Sequence, residues 1–344
     1  MLKDKLTIII LSKDKHSALK KTINHWTNKG YHLLILHEAK KPIDLSKTDN
    51  SVVYVQSLDT FYERLQKIPE FLKTDYALIS PDDEVFSDSS IKAGIKYLEE
   101  NSDFSTVSGQ TISISKYGNH VNYNLAYKNY VGYQTFKNDA LGRAKESILN
   151  NSGAMGIGAP YRIMRRDLLI KFLNALSFLN PINCPYIYEV IAEIYQNLHG
   201  KVKFQNNVFW IRNWIIPSGK DFNRNYYYFQ WWESPKYYKD RELLKNIISS
   251  QFKMLPLKNL DEILQISYEA RKKSETAEQY RLASQRKLIK RIKSHYFLYK
   301  IIQRINFTFK PNTLENLFFE LKVNKIEFES EEINELINCV IGSG

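Results

Sequence analysis

The stretch from Asp75 to Phe86, Asp-Tyr-Ala-Leu-Ile-Ser-Pro-Asp-Asp-Glu-Val-Phe, constrains this chain more than any other. An apolar strand, Tyr76 to Ile79, runs into a proline and then into three consecutive acids. Adjacent carboxylates repel, and a fold keeps them together only with compensating positive charge. A divalent cation supplies it. In an extended segment alternate side chains point the same way, which would set Asp82 and Glu84 on one ion and turn Asp83 elsewhere. Mg²⁺ binds through one or two carboxylates, waters and substrate phosphates rather than a full protein cage, so Mg²⁺ or Mn²⁺ is the expected cofactor. Taken alone, such a triplet is more often a solvated acidic turn, and the surrounding pattern has to decide.

That pattern is one of strands alternating with helices. Leu6 to Leu11 is a near-continuous apolar run rich in β-branched residues, as in a strand buried on both faces of a parallel sheet. Ser17 is placed to cap a helix that runs to about Asn28 and stops at Lys29-Gly30. Leu33 to Leu36 is a second strand ending in His37-Glu38, and Val52 to Val55 a third. Leu58 to Leu72 carries Phe61, Leu65, Ile68 and Leu72 at helical spacing, with Pro69 expected to kink or end it. A helix over 88–101 and a strand over Phe104–Val107 follow the acids. This order implies an α/β sheet that is at least partly parallel. Ligands of such sheets bind at the carboxyl ends of the strands, where Ser12–Lys15, Glu38 and the three acids all fall.

Farther on, 110–160 reads as irregular, with one short helix near 139–149. Gly153 to Gly158 is glycine-rich but matches neither a dinucleotide fingerprint nor a P-loop, and reads as a loop beside a site. Tyr161 to Arg166 leads into a helix over Asp167–Leu179. Tyr186 to Leu198 is a helix closed by His199-Gly200. Val202 to Trp214 carries one or two strands. The aromatic run Tyr226–Trp232 is core or a packing lid more readily than a sugar platform. Beyond about 240 the chain turns helical, which divides it into an α/β domain over 1–235 and a helical C-terminal extension over 236–344.

The net charge is +12, from 49 Lys and Arg against 37 Asp and Glu. Nucleic acid, an anionic membrane surface and a phosphorylated substrate all fit that sign. Residues 281–304 hold eight Lys or Arg, no acid and an apolar stripe, as interfacial helices do. Peripheral contact with the inner face of the plasma membrane and packing on protein compete for that segment. There is no apolar run long enough to cross a membrane and no leader with a small-residue cleavage site. Cys184 and Cys339 form no ligand pair, so a cytoplasmic protein is expected.

From about 5 to 215 the chain resembles the GT-A glycosyltransferases, the family-2-like group of bacterial polysaccharide enzymes above all. Leu6-Thr7-Ile8-Ile9-Ile10-Leu11-Ser12-Lys13-Asp14-Lys15 is similar to their first strand and its nucleotide-facing loop. Asp75 through Glu84 resembles their strand into the D-x-D motif. Tyr186-Ile187-Tyr188-Glu189 with the later Gly200, preceded by Arg162 to Asp167, resembles the helix that carries their general base. The chain departs from the pattern at His37-Glu38, where a pair of Asp is usual, at Glu84, the third acid, and at Tyr188-Glu189, where Glu-Asp is usual.

The resemblance implies a Rossmann-like mixed sheet and a metal-dependent, inverting transfer of a sugar. The donor would be a nucleotide diphosphate, expected to be UDP-linked, and the acceptor a glycan or lipid-linked hydroxyl. Ser12, Lys13, Asp14, Glu38, Asp82 and Asp83 would bind the donor, Asp82 and Glu84 the metal, and Glu189 would act as base. Glu193, one turn on, is the rival base. Arg162 and Arg212 are candidates for the diphosphate. His120 and His199 read as structural or solvated. Self-association is compatible with all of this.

Two other readings stand beside it. A nucleotidyltransferase on a similar sheet would want a glycine-rich first loop, and Ser12–Lys15 has none. A non-catalytic basic protein on a membrane or nucleic acid would draw on 281–304, but no nucleic-acid-binding signature is present, so nucleic acid is not an expected partner.

Overall fold

The computed structural model describes residues 2–45, 51–117, 120–131, 133–150, 158–176, 185–213, 228–251, 259, 261–273, 276–277, 280 and 312–341. The basic segment 281–304, most of the glycine-rich loop 153–158 and the start of the aromatic run lie outside the described residues.

Among the described residues nine strands form one mixed sheet. In chain order they are β1 (Leu6–Lys13), β2 (His32–Glu38), β3 (Val52–Ser57), β4 (Tyr76–Pro81), β5 (Val85–Phe86), β6 (Phe104–Tyr117), β7 (His120–Ala126), β8 (Ile163–Arg165) and β9 (Lys201–Asn213). The spatial order is β3-β2-β1-β4-β8-β6-β9-β5, with β7 paired to β6. Strands β3, β2, β1 and β4 are mutually parallel, whereas β8 runs antiparallel to both β4 and β6.

Successive residues of the parallel strands feed opposite cores. Ile9, Leu34, Leu36, Ala77 and Ile79 face one cluster, and Leu6, Ile8, Ile10, Leu33, Ile35 and Leu78 the other. That two-sided burial is why these strands read as unbroken apolar runs. On the second face lie α1 (His16–Lys29), through Leu19, Ile23 and Trp26, and α3 (Asp88–Glu100), through Ile91, Ile95 and Leu98. On the first lie α2 (Phe61–Phe71), α4 (Ala140–Asn150), α5 (Arg166–Leu176) and α6 (Pro185–His199). A capping box between Thr60 and Glu63 starts α2, and its Pro69 sits close enough to the end that the helix continues to Phe71.

The region after Val107 differs from the expected irregular stretch. Strand β6 continues to Tyr117 and folds back as β7, with Ile112, Ile114 and Leu125 buried against the C-terminal helices. Of the C-terminal part, α7 (Tyr228–Glu233), α8 (Tyr238–Gln251) and the helix over 261–273 bring Trp231, Leu244, Ile263 and Leu264 into the first core. Trp231 is thus a core residue, in line with the packing reading of the aromatic run. Helices Leu314–Val323 and Ser330–Ile341 close a third core over β5, β6, β7 and β9. Among the described residues no helix is long and apolar enough to cross a membrane.

Candidate active site

The carboxyl ends of β1, β2 and β4 meet at the acidic triplet. The triplet is a turn, not an extended segment, because β5 leaves it at once to pair antiparallel with β9, Val85 opposite Ile211. The alternation expected of a strand therefore does not apply. Asp82 and Asp83 share one cation: Lys15 Nζ lies 3.4 Å from Asp82 Oδ1 and 2.8 Å from Asp83 Oδ2. Ser12 Oγ donates to Asp82 Oδ2 at 2.8 Å, and Thr22 Oγ1 donates to the Asp82 carbonyl at 2.8 Å. Glu84 belongs to the other wall. Its Oε1 accepts from the Asn213 amide at 3.3 Å and stands 3.8 Å from Arg212 Nε. Its Oε2 is buried and has no hydrogen-bond partner among the described residues.

Burial pushes the Asp82 carboxyl up to about 6 against the pull of Lys15, and Glu84 up to about 8 against the pull of Arg212. Burial also works to lower the Lys15 pKa, but attraction to Asp82 and Asp83 outweighs it and the ammonium is held.

The neighbouring loop is fixed by a residue the sequence reading passed over. Arg64 of α2 is buried and donates to the carbonyls of Ser12 at 2.6 Å and Leu36 at 3.1 Å, and to Glu38 Oε2 at 2.9 Å. Lys13 Nζ reaches the other Glu38 oxygen at 2.9 Å. Asp14 takes the left-handed conformation, φ 54°, and its amide donates to the Glu38 carbonyl. Ser12, Lys13, Asp14 and Glu38 are thus brought together, with Glu38 neutralised by two cations. The available signal was position: Arg64 sits among Phe61, Leu65 and Ile68 on the core-facing side of its helix.

Glu189 lies on α6, one turn in from Pro185, so a helix terminus is not what sets its charge. Its side chain keeps 37% exposure. Burial raises its pKa, opposed by Arg271 and then Arg212. Arg271 Nη2, from helix 261–273, lies 3.4 Å from Glu189 Oε2. Arg212, 3.8 Å from Glu84, also favours the charged form of Glu189. Arg212 also donates to the Tyr127 hydroxyl and lies over the Trp210 ring at 5.2 Å.

Glu193 is placed differently. Its side chain is 1% exposed and pairs with the fully buried Arg162, while Ser147 and Asn197 donate to it. Both groups are interior, and Arg162 is engaged with Glu193 and Gln196. His199 stacks on Tyr195 at 4.1 Å and is structural.

Among the described residues no group of three or more His, Cys, Asp or Glu is arranged to hold a metal. A Mg²⁺-like ion needs only one or two carboxylates when phosphate oxygens complete its shell. The Asp82–Asp83 edge, where a cation already bridges two carboxylates, fits that need. A cavity of about 130 Å³ behind the turn, walled by Asp83, Lys21, Thr22 and the last turn of helix Ser330–Ile341, is too small for a nucleotide sugar.

No protein-family model matches the sequence, and no curated protein is significantly similar to it. A crystal structure of S. aureus TarS 1–349 in complex with UDP-GlcNAc has a TM-score of 0.52 at 11% identity, covering 78% of this chain and 72% of that one. TarS 1–349 on its own superposes at 0.43 with 11% identity, 78% and 71% covered. A further TarS structure gives 0.45 with 12% identity, 76% and 42% covered. Only the first bears on the fold. Together with the sheet order it bears out the expected class: this chain has a GT-A-like, Rossmann-like α/β fold followed by C-terminal helices.

Proposed function

We propose that the chain is a metal-dependent, inverting glycosyltransferase. It moves a sugar from a nucleotide-diphosphate donor to a hydroxyl of a glycan or lipid-linked acceptor in surface polysaccharide synthesis. The observation that carries this reading is the Asp82–Asp83 edge, bridged by Lys15 at the carboxyl ends of the parallel strands β1 and β4. The fold likeness to a structure holding UDP-GlcNAc makes UDP the first nucleotide to test.

In this reading the Glu189 carboxylate takes the proton of the acceptor hydroxyl as its oxygen attacks the anomeric carbon. The bond from that carbon to the phosphate oxygen breaks, and its electron pair leaves with the nucleoside diphosphate. Attack from the face opposite the leaving group inverts the centre. The Arg212 guanidinium, fixed by Tyr127 and Trp210, meets the charge growing on the diphosphate. Ser12, Lys13, Asp14 and Glu38 line the nucleotide end. Asp82 and Asp83 would hold Mg²⁺ or Mn²⁺, which when bound neutralises charge on the leaving group.

A panel of nucleotide sugars, UDP-GlcNAc first, is assayed for hydrolysis with and without Mn²⁺. One donor is expected to turn over, faster with the metal. No turnover, combined with no calorimetric binding of any nucleoside diphosphate, would sink the reading.

A further inference from the structure

We infer that Arg271 is a positioning residue for the Glu189 carboxylate, so that helix 261–273, outside the sheet, is part of the catalytic apparatus. This rests on the reading of Glu189 as the base. Ile263, Ser267 and Arg271 are four residues apart and all fully buried, so they form one core-facing stripe. The first turn of that stripe is ordinary core, with Ile263 and Leu264 packed into the cluster that holds α5 and α6. Its last member is a guanidinium. Burying a charge is costly unless it is paired, and Glu189 Oε2 lies 3.4 Å from the guanidinium.

The pair is asymmetric in a useful way. Arg271 is 0% exposed and Glu189 37%, so the cation is anchored in protein while the carboxylate stays partly open to solvent. A guanidinium offers a fixed fork of donors, which orients the carboxylate as well as compensating it. The other groups around Glu189 do not duplicate this. Arg212 of β9 is engaged with Glu84 and Tyr127. Tyr127, Tyr161 and Tyr188 have pKa values raised by burial and stay neutral. Burial drives Glu189 toward the protonated form, which cannot act as a base, and Arg271 is the strongest opposing group.

The test reads Glu189 directly and needs no substrate. In protein labelled with ¹³C at the Glu side-chain carboxyl, the Glu189 resonance is assigned by its loss in E189Q and followed against pH. In R271M its midpoint is expected to rise by about one pH unit or more, the usual reach of an adjacent opposite charge. R271K is expected to restore part of the difference. Should R271M not fold, R271Q, which keeps hydrogen-bond donors in the buried position, is read by the same criterion. A midpoint in R271M or R271Q within a few tenths of the wild type overturns the inference. Failure of the underlying reading looks different: E189Q would then retain sugar transfer, whatever the Arg271 variants do to the titration. Where a donor is turned over, the acid limb of the wild-type rate profile is expected to move up with the NMR midpoint in R271M.

Discussion

Arg162 Nη2 meets Glu193 Oε2 at 2.5 Å in a pair with side-chain exposures of 0% and 1%, one helical turn from the open Glu189. The same helix thus carries one carboxylate for the interior and one partly open to solvent. Arg162 also donates to Gln196 Oε1 at 2.8 Å, so its fork is well used. Replacing only one member leaves the other charge buried and uncompensated, at a cost of about 3–5 kcal/mol. R162M is therefore expected to lose that much in urea denaturation. The double variant R162M/E193L is expected to recover a large part of it. A loss below about 1 kcal/mol in R162M would mean that the pair is not buried as described.

What could be read from the sequence follows from how local the cause is. Strands β1, β2 and β4 were legible because both faces are buried, so their central positions are almost all apolar. The β6–β7 hairpin was missed, although Ile112 and Ile114 alternate with polar residues, as do Val121, Tyr123 and Leu125. Its abundance of Tyr, Asn and Ser hid a period of two. Gly118-Asn119 between the runs was the remaining signal. The acidic triplet was recognised, but its geometry was not. Whether three acids lie on a strand or a turn depends on the pairing of Val85 with Ile211, a contact with a distant strand. The link from Arg271 to Glu189 is of the same kind. Only the odd charge on an apolar stripe hinted at it.

The acidic turn predicts how nucleotide binding depends on metal. D82A and D83A remove one carboxylate each from the edge that Lys15 bridges. Both are expected to abolish the Mn²⁺-dependent part of UDP affinity in calorimetry and to leave the circular dichroism spectrum unchanged. E84A is expected to do less to metal dependence, because Glu84 faces Arg212 rather than Lys15. Unchanged Mn²⁺ dependence in both D82A and D83A would remove the metal from this turn.

His25 gives a pH dependence with a definite sign. Burial lowers its pKa to about 4, assisted by Lys29 and opposed by Glu335. Below the unfolded value of 6.5 the unfolded chain takes up a proton that the folded chain refuses. Stability from this group is therefore complete above 6.5 and is lost as pH falls toward and through about 4. The slope is at most about 1.4 kcal/mol per pH unit. Urea unfolding from pH 7 to 4 is expected to show a shallower decline in H25Q than in the wild type. Parallel curves would refute it.

Helix Ser330–Ile341 is expected to be essential to the sheet. Leu336, with Leu317 and Ile333, fills the core under Val85 and Ile211, next to the acidic turn. Glu332 adds bonds to Ser87 Oγ at 3.0 Å and the Ser89 amide at 3.2 Å, at the start of α3. L336A leaves a cavity in a fully buried site, and a loss of about 2–5 kcal/mol is expected. The measurement is again denaturation. A loss near zero would show that the helix does not pack there in solution.

The last prediction concerns Glu189 itself. An acceptor hydroxyl is a weak nucleophile, and inverting transfer calls for a carboxylate within hydrogen-bond reach of its proton. Glu189 has the properties for it: a side chain 37% exposed, a pKa raised by burial, and Arg271 and Arg212 to sustain its charge. Glu189→Gln keeps size and hydrogen bonding and removes basicity. Turnover is expected to fall about 10²- to 10⁴-fold, the usual share of general acid–base catalysis. Donor binding should change little, because Glu189 is not among the residues placed at the nucleotide end. Glu193→Gln serves as the contrast. Its lesion is in the buried pair with Arg162, so it should lower stability first and turnover only as far as folding suffers. Near-normal turnover in E189Q beside a folded but inactive E193Q would move the base one turn along the helix. Activity in both would take the base off this helix altogether.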